Sequence, residues 1–186
     1  AAERILRSAG ITDVTIRQVS GNLSDNYNPA SKTLNLSETV YGSNSVAAVG
    51  VAAHECGHAI QHARGYLPLS LRTAFVPVAN IGSMLAWPII IFGALFNNRS
   101  SMTFINLGIM LFSCVVIFQL ITLPVEFNAS RRALVQLKTQ GILGDEEIKY
   151  TRQVLGAAAL TYVASAAAGI LQLLRIILLF GGRDRD

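Results

Sequence analysis

His54 and His58 stand four residues apart in the stretch AAHECGHAIQHARGY, with Glu55 directly after the first. On a helix that spacing places both imidazoles on one face, one turn above the other. Two neutral imidazoles so arranged can hold one zinc ion, while the flanking carboxylate faces a water on that ion. Zinc brings the pKa of such a water towards neutrality, and the carboxylate takes its proton as the oxygen attacks a carbonyl. The chemistry written in H-E-x-x-H is therefore hydrolysis, with Glu55 as general base and later proton donor. The same residues also have a structural reading, as two buried histidines bonded to backbone and a glutamate that suits a helix. A working site further needs a third protein ligand and an open fourth position.

Two neighbours of the motif could join it. His62 lies one further turn along the same face. Three ligands on one straight helix do not converge on a tetrahedral ion, because His54 and His62 are separated by about 12 Å of rise. His62 is thus expected to support a ligand or face a substrate, with a plain surface histidine as the alternative. Cys56 sits two residues from each histidine, roughly 160–200° around the helix, which disfavours it as a ligand. The variable positions of the motif need only fit a helix. Cys56 and Cys114 make no disulfide framework and read as small, reduced, buried residues.

The element carrying the motif is expected to run from Val46 to Arg64, with Ser43 or Asn44 as its cap and Gly65 closing it in the left-handed conformation. Ahead of it, Ala1 to Ser8 reads as a short amphipathic helix stopped at Gly10. Val14 to Val19 alternates as a strand, Ser20 to Ser31 is dense in turn formers, and Thr33 to Leu36 alternates again. The two strands could pair as a small β-hairpin. The free edge of Thr33–Leu36 could then hold a substrate backbone in extended form, unless the hairpin is a plain one.

The rest of the chain must bring the third ligand. Of its 186 residues 52% are hydrophobic and 14% charged, too apolar for an ordinary soluble domain. A net charge of +4 without clustered basic readers gives no nucleic-acid surface. After a short connector, YLPLSLRTA, the segment Val76 to Phe96 holds no charge over a membrane-spanning length. A tight polar turn, Asn97 to Ser101, leads to a second such segment, Phe104 to Leu123, whose one strongly polar side chain is Gln119. Ala157 to Phe180 is a third, interrupted by Gln172 and by Arg175, which can snorkel to headgroups. The fold expected is mainly α: an integral membrane helical protein with a zincin-like metal helix and a small β-hairpin. It forms a single domain in which 1–75 carries the motif, 76–123 the transmembrane hairpin, 124–156 the third ligand and a connector, and 157–180 the last span.

A hairpin that leaves from the metal helix returns to the same side of the bilayer, and Glu126 stands at the return. It is the natural third zinc ligand, unless it pairs instead with Arg131 or Arg132. Basic residues Arg64, Arg72, Arg131, Arg132, Lys138, Lys149 and Arg152 flank the spans on the motif's side, against Arg99, Arg183 and Arg185 on the other. The positive-inside rule then puts the site on the cytoplasmic side.

The stretches AAHECGHAIQHARGY and LPVEFNASRRAL, with SDNYNP, TLNLS and ALTYVA in the same order, resemble the YugP-type neutral zinc metallopeptidases of bacteria over nearly the whole chain. The resemblance implies a multi-pass protein of the bacterial plasma membrane, with the lipid bilayer and a polypeptide substrate as its partners. Members carry an additional N-terminal membrane segment, which fits a chain that opens on AAERILRSAG without an initiator Met or signal pattern. More distantly, Glu126 to Ser130 is similar to the E-x-x-A-D stretch of HtpX-like membrane metallopeptidases, which implies Glu126 as the third ligand. This chain departs at Ser130, where those enzymes have an Asp that supports a ligand histidine; Ser130 or Asn128 could hydrogen-bond in its place. Arg131, Arg132, Tyr162 and His62 are the candidates for stabilising an oxyanion. Two other functions compete with a zinc endopeptidase: a non-proteolytic zinc-binding scaffold for a membrane-protein partner, and a zinc hydrolase of a small amide or lipid.

Overall fold

The computed structural model describes residues 1–95 and 101–180. In chain order the elements are α1 (Ala2–Ser8), β1 (Thr15–Val19), β2 (Asn26–Asn28), β3 (Thr33–Ser37), α2 (Glu38–Tyr41), α3 (Val46–Ala63), α4 (Leu67–Leu95), α5 (Ser101–Thr139) and α6 (Asp145–Phe180). Three of these helices, α4, α5 and α6, are long and apolar enough to cross a membrane, as their uncharged runs require. The polar turn at 97–100, with Arg99, and the tail with Arg183 and Arg185 fall outside the described residues.

The chain divides into two compact units. One combines Ala1–Ser70 with Pro124–Leu160; the other combines Leu71–Leu123 with the chain from Thr161 onward. In the second unit the helices leave much of their apolar surface uncovered, Met84, Met110 and Leu178 among it, the pattern of side chains that meet lipid rather than water. Inside that unit Ala86, Ile90 and Ile105 are buried, and the carboxamide oxygen of Gln119 is buried without a hydrogen-bond partner among the described residues.

In the first unit a three-stranded sheet, ordered β1-β3-β2, lies with α1 and α3 around one core. Ile5, Leu6, Leu34, Leu36, Ala53, Cys56 and Ile60 are all closed off from solvent there, joined by Ala133, Leu137 and Leu155 from α5 and α6. The strand expected at Thr33 does pair with the first, but in parallel, Thr15 opposite Thr33. The hairpin is made instead by β2 and β3, antiparallel, with Tyr27 opposite Leu34. Its turn is fixed by Asn28, whose Oδ1 accepts from the backbone N–H groups of Ala30 and Ser31. β3 is therefore central, and Thr33–Leu36 offers no free edge. Turn-rich composition hid β2, since three residues of asparagine and tyrosine carry too little alternation to read as a strand.

Two helix boundaries also differ from expectation. The cap of α3 is Ser45, one residue after Asn44, its side chain accepting from the Ala48 N–H at 3.2 Å. The connector after Gly65 is helical, because Pro68 falls in the first turn of α4, where a missing N–H costs nothing. Pro124 lies in the interior of α5, which continues through it, so Glu126 sits within the same helix.

Candidate metal centre

Helix α3 is built to be buried and to be approached closely. Its first half is alanine, valine and glycine, and its end is fixed by Gly65 at φ +60°. There the Gly65 and Tyr66 N–H groups bond the carbonyls of His62 and Gln61, a Schellman closure. Between these ends His54 and His58 project from one face, their rings 4.8 Å apart and edge-on.

Helix α5 crosses this face at Gly57. A Cβ at Gly57 would lie 2.5 Å from the Ala129 carbonyl oxygen, so only glycine permits the approach. The expectation that the motif's variable positions need only suit a helix fails here. The consequence of the crossing is Glu126, only 3% exposed, set between the two imidazoles. Its carboxylate oxygens lie 3.2 Å from His54 Nε2 and 3.7 Å from His58 Nε2. His54, His58 and Glu126 could hold a metal ion, since one ligand atom from each lies within 4.8 Å of the others. The structure thus brings Glu126 to the two histidines.

What stands behind His58 decides its tautomer. His58 Nδ1 lies 3.0 Å from Gln61 Oε1, and Gln61 is fully buried. Gln61 donates through Nε2 to the Val125 carbonyl at 2.8 Å and to Asn128 Oδ1 at 3.1 Å. With its nitrogen so engaged, the oxygen of Gln61 must accept, and His58 Nδ1 must carry the proton. Nε2 is then left with a lone pair aimed at Glu126. His54 is placed alike, with Nδ1 3.0 Å from Ser130 Oγ, a hydroxyl able to accept its proton, and Nε2 towards Glu126. Acceptor atoms facing one another across a buried space call for a positive charge among them. Two imidazole Nε2 atoms and a carboxylate are a donor set that suits zinc.

Burial works against an imidazolium at His58, yet the bond to Glu126 and the charges of Glu55 and Glu126 raise its pKa overall. Burial pushes the Glu55 carboxyl above its ordinary value, against the pull of His58 and His54 and with the added repulsion of Glu126. Cys56, wholly buried, has its thiol pushed up to about 12 by burial and by Glu55, and its Sγ faces the Ala2 carbonyl at 3.7 Å. It belongs to the core, whereas Cys114 is only half-buried.

Of the other residues singled out, Ser130 and Asn128 lie in the network behind the imidazoles. Asn128 Oδ1 also accepts from Arg132 Nε at 2.6 Å, and the Arg132 guanidinium lies 5.8 Å from the centre of the Tyr66 ring. His62 is exposed and outside the ligand cluster, its Nδ1 2.8 Å from the Tyr27 hydroxyl on β2. Arg131 is exposed, and Tyr162 lies on α6 within the second unit. Gln61, Gly57 and Tyr66 went unread in the sequence. Gln61 alone left a signal there, a polar residue three after His58 on the same helical face.

Residues 1–181 match the family model described as "putative neutral zinc metallopeptidase". The chain belongs to that family. It is 45% identical over 186 residues to the "putative membrane protease YugP" of Bacillus subtilis (strain 168), covering 100% of this chain and 81% of that protein. No solved structure matches. The family description implies zinc, and His54, His58 and Glu126 could hold a metal ion.

Proposed function

We propose that the chain is an integral-membrane zinc endopeptidase of the H-E-x-x-H type, with His54, His58 and Glu126 as the protein ligands of one zinc ion. The observation that carries this is the convergence of two Nε2 atoms and a carboxylate, each imidazole held from behind by a hydrogen bond through Nδ1. Zinc bound there would polarise the scissile carbonyl and activate a water. Glu55 takes that water's proton and returns it to the leaving amine; a carboxyl whose pKa is raised by burial suits both steps. Ser130 and Gln61 hold the imidazoles in the tautomer that keeps Nε2 free for the metal.

Since β3 is paired on both sides, an extended substrate is expected at β2 instead, where Tyr27 and His62 are joined. His62, exposed, is the side chain we assign to the substrate side, with Tyr162 as a further candidate. By task, 1–75 carries the metal helix, 76–123 the hairpin, 124–156 the third ligand and connector, and 157–180 the last span. The weight of Lys and Arg beside the motif favours a cytoplasmic site in the plasma membrane, acting on membrane-associated or misfolded polypeptides.

Metal content and cleavage together test this. Detergent-solubilised protein should hold one zinc per chain, lost in Glu126→Ala. Glu55→Gln should keep the zinc while cleavage of an unfolded polypeptide falls by about 10²–10⁴-fold. Wild-type protein that stays free of zinc after supplementation would overturn the reading.

A further inference from the structure

Beside the metal centre, within the first unit, α5 and α6 border a cavity of about 370 Å³. That is within the range of roughly 300–1,000 Å³ typical of small-ligand sites. Its lining is largely apolar, and three cations, Arg131, Lys138 and Arg152, stand in it with no acidic side chain. Lys138 is paired with Asp145 at 3.1 Å, whereas neither Arg131 nor Arg152 is ion-paired among the described residues. The charges are not spread evenly along the cavity. A short loop joins α5 to α6, which makes them antiparallel neighbours, so Lys138 and Ile148 lie at the loop end and Phe127 and Ala159 at the other. Arg131 and Arg152 stand between, and the wholly apolar end is the one nearest in sequence to the uncharged runs of both helices.

A basic middle with an apolar end fits a molecule that is itself anionic at one end and hydrocarbon at the other. A free phosphate would gain nothing from Phe127, Leu155 or Ala159. We propose that this groove binds an anionic phospholipid, its phosphate on Arg131 and Arg152 and an acyl chain along Phe127, Leu155 and Ala159. Ser130 lines the same groove while its Oγ meets His54 Nδ1, so the lipid lies against the residue that holds a metal-site imidazole.

The test reads lipid binding and needs no peptidase activity, so it stands or falls apart from the proposed function. The full chain is equilibrated in bilayer discs of phosphatidylcholine with a minor share of phosphatidylglycerol, then extracted into mild detergent. Retained lipid is measured by mass spectrometry. Wild-type protein should keep phosphatidylglycerol in preference to phosphatidylcholine. Gly156→Leu fills the groove from a position where an added Cβ meets nothing within 4 Å, and it favours the helix. Its melting temperature should match wild type while lipid retention is lost. Arg152→Gln should lower retention by about fivefold through loss of one charge. Equal retention of the two lipids by wild type, undiminished retention in both variants, or displacement by glycerol phosphate alone would each overturn the proposal.

Discussion

Helix α3 makes two close crossings in the first unit, both at glycines, and they are not alike. At Gly50 an added Cβ would meet the Thr151 methyl group at 2.8 Å, a buried side chain whose Oγ1 donates to the Glu147 carbonyl. At Gly57 it would meet the Ala129 carbonyl oxygen at 2.5 Å, part of the α5 backbone. The surroundings differ as well. Near Gly50 lie Ala48, Ala52 and Leu155 of the apolar core. Around Gly57 lie Glu126, Ser130, Gln61 and Asn128, bound to one another or to the two imidazoles. The first crossing meets a side chain, so a shift of Thr151 moves no donor atom of the metal site. The second cannot yield without carrying Glu126 and Ser130, three residues before and one after Ala129, away from the histidines. Rigidity is concentrated where donor atoms must converge to within a few tenths of an ångström.

Four substitutions would sharpen or break this contrast. Gly57→Ala should have the largest effect, about 3 kcal/mol of stability and the whole of the zinc content, read by thermal unfolding and metal analysis. A Gly57→Ala protein with one zinc per chain would mean that the backbone contact gives way after all. Gln61→Leu keeps the volume but strips the Val125 carbonyl, Asn128 and His58 Nδ1 of their shared partner. Zinc affinity should fall by about 100-fold in competition with a chelator. Ser130→Ala should cost less, about tenfold by the same competition, because it removes one hydroxyl and orphans no further buried group. Equal losses for Gln61→Leu and Ser130→Ala would show the two imidazoles to be held alike. Gly50→Ala should do least to the metal site: buried Thr151 must shift, which costs about 1–2 kcal/mol of stability after the gain in helix propensity, while zinc content stays unchanged.

The parts of this molecule that were legible in the chain are those with a short-range signature. The i, i+4 histidines, the uncharged runs of α4, α5 and α6, and the left-handed stop at Gly65 each declare themselves within a turn or a span. Glu126 was reachable by a topological step, since a hairpin that leaves and returns on one side limits where the next acid can go. β2 was not legible, because three residues set no periodicity, and its absence misplaced the free edge of the sheet onto β3. The place of Ser130 behind His54 was open between it and Asn128; the structure gives His54 to Ser130, and Asn128 to Gln61 and Arg132.

Sequence by itself determined the pair of histidines, their helical spacing, the glutamate beside them and the membrane-spanning lengths, because all of these are properties of one helix at a time. Only the tertiary structure decided which carboxylate meets the imidazoles, which nitrogen of His58 carries the proton, and why the motif's fourth residue is glycine. Each of those depends on the distance between two helices whose contacting residues are more than sixty positions apart in the chain, set by a contact as local as a missing Cβ.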